Sequence, residues 1–83
     1  MAKVLITVID QKGECGAKHK KGDTFVYQGK LPDMCPAAFA SLYPNLRTLY
    51  FGGNFPWEKP GGSKVACPDP DNPVVFKLER KEE

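Results

Sequence analysis

Four side chains in this 83-residue sequence carry strong soft metal-ligating atoms: Cys15, His19, Cys35 and Cys67. Each falls in a segment that we predict to be a loop or the start of a helix. Structural cysteines are usually buried inside strands or helices, whereas metal ligands come from loop ends where backbones converge. Three thiolates and one imidazole are a common ligand set for tetrahedral zinc and also suit iron. We therefore predict that these residues bind one zinc or iron ion.

The spacing gives each residue a different place in such a site. Cys15 and His19 are four positions apart, so a single turn can present both to one ion. Cys35 stands directly before Pro36, at a predicted helix start whose dipole favours the thiolate. Cys67 opens a proline-rich segment. The sequence has no C-x₂-C pair, so the fold must bring three segments together to complete the site.

Other functions fit the same residues. The cysteines can be ordinary reduced thiols with a surface histidine beside them, as is usual in a reducing compartment. A redox-active or nucleophilic thiol protein could use Cys35 with His19 as its base, although the sequence lacks a C-x-x-C motif. A non-enzymatic interaction module could bind a protein partner through a long loop and hold no metal. No residue pattern identifies a substrate, so whether the chain is an enzyme stays open.

Composition and charge limit the class of protein. Hydrophobic residues make up 41% of the chain and charged residues 27%, which is too apolar for a disordered segment. The length allows one domain, residues 1–83. A net charge of +2 gives no support for nucleic acid as a partner. Without a signal-like or membrane-spanning apolar run, we expect a cytoplasmic protein with no membrane association. A protein partner or a homodimer stays open.

Three segments have clear strand composition. Residues 3–10 are mostly β-branched or apolar, which predicts a central strand covered on both faces. Residues 23–27 return to β-propensity, and residues 74–79 alternate with the period of a half-buried strand. A further strand is predicted at 47–51, and a solvated tail at 80–83.

One amphipathic helix is predicted between the strand pairs. Pro36 suits the first helical position and disfavours helical backbone at Cys35, so Cys35 is predicted as the N-cap. Apolar residues then recur at helical spacing: Phe39, Leu42, Tyr43 and Leu46. Because Pro44 cannot donate a helical hydrogen bond, we expect the helix to stop near Tyr43.

Residues 52–73 are predicted to form a long loop because glycine and proline are frequent there. We expect Phe55 and Trp57 to pack on the core and anchor one end of this loop. Residues 59–64 are expected to form a freely moving tip.

The element order β-β-α-β-β predicts an α+β fold. We expect a mainly antiparallel sheet of about four strands with one helix packed on one face. The first and last strands should pair at its centre.

Motifs are distributed along nearly the whole chain: Cys15…His19-Lys20…Gly22-Asp23-Thr24-Phe25, Cys35-Pro36-Ala37-Ala38-Phe39, Phe51-Gly52-Gly53…Phe55-Pro56-Trp57 and Cys67-Pro68-Asp69…Asn72-Pro73-Val74-Val75-Phe76. Together they resemble a family of small uncharacterised bacterial and archaeal proteins of about this length. The resemblance implies that cysteines and a histidine at the positions of Cys15, His19, Cys35 and Cys67 form one shared site. It implies no activity, substrate or choice of metal.

Overall fold

The computed structural model describes residues 3–11, 20–30, 32–67 and 73–81. Five elements follow one another in these residues: β1 (Lys3–Gln11), β2 (Thr24–Tyr27), α1 (Pro36–Tyr50), β3 (Gly62–Ala66) and β4 (Val74–Lys81). The order confirms the predicted β-β-α-β-β succession and the α+β class. Within these ranges no helix combines the length and the apolar character needed to cross a bilayer.

All neighbouring strands are antiparallel, and the sheet order is β2-β1-β4-β3. The first and last strands of the chain therefore pair at the centre, as predicted. The chain forms one hairpin, then the helix, then a second hairpin whose last strand lies beside the first. The β1–β4 register shifts between Val8 and Asp10, which is the signature of a β-bulge.

Helix α1 packs on one face of the sheet, and the side chains of β1 are accordingly buried on that face only. Val4, Ile6 and Val8 are at most 1% exposed, whereas the residues between them remain partly exposed. The prediction that this strand is covered on both faces was therefore wrong. The core cluster between helix and sheet consists of Val4, Ile6, Val8, Tyr27, Met34, Ala38, Leu42, Leu46, Leu49, Val74, Phe76 and Leu78.

Helix α1 begins where predicted but extends further. Cys35 is the N-cap and Pro36 occupies the first turn. The helix continues through Pro44, so the predicted stop near Tyr43 was wrong. The strand predicted at residues 47–51 was also wrong, because these residues form the last turn and the C-cap of the helix.

Burial explains why Pro44 does not end the helix. Leu46 and Leu49 continue the apolar stripe of Leu42 past the proline, and all three leucines are completely buried. A proline inside a helix costs about 3 kcal/mol, whereas burying one leucine side chain stabilises by about 1.5–3 kcal/mol. Packing on the sheet therefore outweighs the local penalty.

Two glycines end the helix. Gly52 adopts a φ of +91°. Its N–H donates to the Leu49 carbonyl at 3.0 Å, and the Gly53 N–H donates to the Thr48 carbonyl at 2.8 Å. This pair of bonds is the Schellman motif, which requires a left-handed residue at the position of Gly52.

Strand β3 lies inside the segment predicted as a loop. Residues 62–66 pair with β4 from Gly62↔Glu79 to Ala66↔Val75. Because Val65 is the only β-branched residue in β3, the strand forms on its neighbour rather than from its own propensity. The predicted loop at 52–73 is thus interrupted, and the expectation of a freely moving tip at 59–64 was wrong for the residues in β3.

Lys81 belongs to β4, and residues 82 and 83 of the predicted solvated tail lie outside the described residues. Arg80 also belongs to β4, so the prediction was wrong for residues 80 and 81. Its Nη1 donates to the carbonyls of Leu49 at 3.1 Å and Gly53 at 2.6 Å. Its Nη2 donates to Oδ1 of Asn54 at 3.0 Å, and the same oxygen accepts the Gly61 N–H at 2.7 Å. Arg80 therefore fastens the end of α1 and the following turn to the sheet.

Candidate functional site

The segments that contain the predicted metal ligands start or finish at one end of the sheet. We call it the cysteine end: the end at which β1 and β3 finish and β2 and β4 begin. Gln11 is paired there with Val74, and beyond β2 the Gly22 N–H donates to the Val8 carbonyl at 2.8 Å. The connection between Gln11 and Lys20 therefore starts and finishes at this end, and it contains Cys15 and His19.

Helix α1 runs antiparallel to β3, so its start faces the cysteine end. Ser41 Oγ donates to the Ala66 carbonyl at 2.8 Å, and one turn later Asn45 Nδ2 donates to Ser63 Oγ at 2.8 Å. Moving forward along the helix thus means moving backward along β3. Cys35, which precedes Ser41 by more than a helical turn, lies toward the end of β3 that leads into Cys67.

Cys67 follows β3 directly and sits in a defined hydrogen-bond setting. Its N–H donates to the Val74 carbonyl at 2.9 Å, which prolongs the β3–β4 ladder by one pair. Its Sγ accepts the Val74 N–H at 3.3 Å. Hydrogen bonds to a ligand sulfur are one way in which proteins orient and tune metal-bound thiolates.

Cys35 combines partial burial with the helix start. It is the N-cap residue, with φ −55° and ψ 124°, and the first turn of α1 contains no acidic residue. The positive end of the helix dipole is therefore not offset by a carboxylate of that turn. Both Cys35 and Cys67 are partly buried and pack against the core cluster.

Cys15 and His19 lie outside the described residues, so the structure brings only Cys35 and Cys67 of the four predicted ligands toward one end. Within the described ranges, no group of three or more His, Cys, Asp or Glu side chains is placed to hold a metal ion.

Trp57 is not the core anchor that the sequence predicted. Its side chain is 73% exposed, and its ring centroid lies 5.3 Å from that of Phe55. Phe55 is partly buried and packs against the core cluster, so this half of the prediction is confirmed. The Trp57 indole therefore lies on the surface against the Phe55 ring, and Phe55 in turn packs against the core cluster.

An arginine of the last turn of α1 is surrounded by aromatic rings, a grouping that was not predicted from the sequence. Arg47 lies over the rings of Phe51 and Tyr43, at 4.4 and 5.8 Å from their centroids. Its Nη1 donates to the Tyr27 hydroxyl at 3.1 Å, and this hydrogen bond raises the pKa of the guanidinium above its ordinary value. The residues could not be grouped from the sequence because 47–51 was predicted as a strand, which places successive side chains on opposite faces.

No protein-family model, curated protein or solved structure matches this chain. The resemblance to a family of small bacterial and archaeal proteins therefore stays a prediction.

Proposed function

We propose that the chain is a small cytoplasmic metal-binding protein that holds one zinc or iron ion with Cys15, His19, Cys35 and Cys67. One observation carries the proposal: the start of α1, the end of β3 and both ends of the β1–β2 connection lie at the cysteine end of the sheet. Residues that are far apart in sequence thereby become candidates for one coordination sphere, which the sequence spacing alone could not supply.

The surroundings of the two described cysteines support thiolate ligation. The N–H of Val74 donates to Cys67 Sγ, and the helix dipole at Cys35 favours negative charge. Three thiolates with one divalent ion leave a single negative charge. Lys21, which is exposed and close to His19 in the sequence, can offset that charge.

The role that these positions favour is structural. An ion bound by all four residues would link the two hairpins and the helix start to one another. Structural zinc can contribute on the order of 10 kcal/mol, and a chain of this length has a total stability of roughly 4–12 kcal/mol. Such an ion would therefore decide whether this small domain is folded.

Metal analysis of protein purified without chelator tests the proposal. We expect about one equivalent of zinc or iron per chain and a lower melting temperature after chelation. Because Cys35 and Cys67 also pack on the core, replacing them could destabilise the fold for other reasons. Cobalt substitution provides a second readout, since Co²⁺ bound to thiolates absorbs in a charge-transfer band that each of Cys15→Ser, Cys35→Ser and Cys67→Ser should weaken.

Lys20→Gln is the matched control, because Lys20 is adjacent to His19 and exposed but offers no ligand at neutral pH. It should keep the metal content and the cobalt band of the parent, whereas His19→Gln should lose part of both. Folded parent protein that binds neither zinc, iron nor cobalt would refute the proposal. Rapid alkylation of Cys35 in such metal-free protein would favour the thiol-based alternative instead.

The exposed indole favours a second candidate, a protein-interaction module. Trp57 is 73% exposed and Phe51 is 68% exposed, and aromatic residues of this kind are enriched where proteins bind each other. Association through a second copy would appear as concentration-dependent sedimentation that Trp57→Ala abolishes. Unchanged sedimentation of Trp57→Ala would exclude the indole from a homodimer contact.

A further inference from the structure

A cavity of about 210 Å³ lies beside β3, on the outer edge of the sheet. Three lysines line it, Lys59, Lys64 and Lys77, together with one acidic residue, Glu58. Neither of the two described cysteines, Cys35 and Cys67, takes part in its walls. The cavity therefore has an excess of positive charge and a position separate from the cysteine end.

Two of these lysines stand directly opposite each other across the β3–β4 pair. Lys64 is the register partner of Lys77. Like charges in such positions destabilise a sheet. Glu79 lies 3.8 Å from Lys77 and relieves part of the repulsion, but the Glu79 carboxylate is shared with Lys81 at 3.7 Å. An anion held between Lys64 and Lys77 would turn an unfavourable pair into a binding site.

The backbone adds a donor at the same place. Hydrogen bonds join Cys67 to Val74 and Arg80 to Gly61, so the bonded pairs of the β3–β4 ladder fall on the odd-numbered residues of β3. Lys64 therefore occupies a position whose N–H points away from β4, toward the open edge of the sheet. Backbone N–H groups combined with ammonium groups are a usual setting for oxyanions in proteins.

We infer that this cavity binds a phosphate group, either as the free ion or as part of a small phosphorylated molecule. Lys59, Lys64 and Lys77 supply the positive charge, and the Lys64 N–H supplies a directed hydrogen bond. A doubly charged oxyanion matches several donors at once, which a single carboxylate does less well. The volume also leaves room beyond a phosphate group, which a phosphorylated molecule would use.

An NMR titration tests the inference. The amide chemical shifts of labelled protein are followed while sodium phosphate is added, and sodium chloride at equal ionic strength is the control. We expect saturable changes confined to residues 58–64 and 77–78. Lys64→Gln and Lys77→Gln should each weaken phosphate binding about tenfold, the loss expected for one charge-assisted hydrogen bond. Phenyl phosphate added in a parallel titration separates the two sources: tighter binding than phosphate indicates a phosphorylated molecule, and weaker binding indicates the free ion.

Lys81→Gln is the matched control. Lys81 lies on the same strand, contacts the same Glu79 carboxylate and has nearly the same exposure as Lys77, at 48% against 46%, but does not line the cavity. It should bind phosphate within about twofold of the parent. Equal weakening by Lys77→Gln and Lys81→Gln, changes scattered over all the lysines, or no saturable change would each overturn the inference. The metal proposal would stand in all three cases, because its test reads metal content.

Discussion

The contact between Arg80 and the end of α1 allows a quantitative test of how this fold is held together. Its guanidinium donates to two carbonyls and one amide oxygen of the chain between Leu49 and Asn54. The Leu49 carbonyl belongs to the last turn of the helix, where the negative end of the dipole favours a cation. Arg80→Met keeps an apolar stem of similar reach and removes every donor.

The expected loss follows from the three hydrogen bonds. A hydrogen bond to a charged group contributes about 1.5–3 kcal/mol. Because Arg80 is only partly buried, water can hydrogen-bond some of the acceptors that the substitution leaves without the guanidinium. We therefore expect the free energy of unfolding to fall by about 2–4 kcal/mol. Because 1 kcal/mol corresponds to about 4–8 °C in a domain of this size, Tm should fall by about 10–30 °C.

Urea unfolding followed by circular dichroism measures this change, with thermal melts as a second readout. Lys81→Met changes the next residue of β4, which is exposed and contacts Glu79 at 3.7 Å, and it should cost less than about 0.5 kcal/mol. Arg80→Lys should fall between parent and Arg80→Met, since one ammonium group cannot reproduce the fork of donors. Stability of Arg80→Met within about 0.5 kcal/mol of the parent would refute the assigned role.

Further substitutions test other packing assignments by the same urea unfolding. Trp57→Ala should lower the free energy of unfolding by under about 0.5 kcal/mol and Leu46→Ala by about 2–5 kcal/mol, because the indole is 73% exposed and the leucine 0%. Equal losses of stability would mean that Trp57 packs on the core. Pro44→Ala should raise stability by about 1–2 kcal/mol by restoring a helical donor, and a lower stability would show that the proline is favoured where it stands. Gly53→Ala should cost about 1–3 kcal/mol, since its Cβ would lie 2.8 Å from Thr48 Cγ2; Thr48→Ser should restore part of the loss, and no cost from Gly53→Ala would refute the clash.

The sequence was sufficient wherever local chemistry and tertiary packing agree. The strands at 3–10, 23–27 and 74–79 have β-branched or alternating residues, and all three are strands in the structure. Pro36 placed the start of the helix because its ring suits the first turn and disfavours helical backbone at Cys35. The order of these elements then fixed the α+β class.

The sequence failed where packing overrides local preference. Pro44 suggested an end to the helix, yet Leu46 and Leu49 continue the buried stripe on the far side of it. The spacing of these leucines, with Gly52 just beyond the last turn as a C-cap signal, could have predicted the full helix. For β3 no comparable signal exists, because its strand character comes from the pairing with β4.

The candidate site was likewise predictable in residue type but not in its arrangement in space. Residue type identified the four proposed ligands, but only the antiparallel order and the direction of α1 bring the start of the helix and the end of β3 to one end of the sheet. The cavity beside β3 was beyond sequence reasoning, since Lys64 and Lys77 become neighbours only through a strand that the sequence did not predict.

The two ends of α1 differ in their surrounding interactions. This difference indicates what the proposed metal ion would add at the N-terminal end. At the C-terminal end, a Schellman turn and the Arg80 guanidinium satisfy carbonyls of the last turn and fix the following chain to β4. At the N-terminal end, the helix start lies toward the cysteine end of the sheet, where Cys35 and Cys67 pack against the core cluster. A domain of this size buries only about three-fifths of its extended-chain surface, so a metal cross-link at this end would add appreciably to its stability. Ligation of one ion by Cys15, His19, Cys35 and Cys67 would link the connections there, as Arg80 does at the opposite end of the helix.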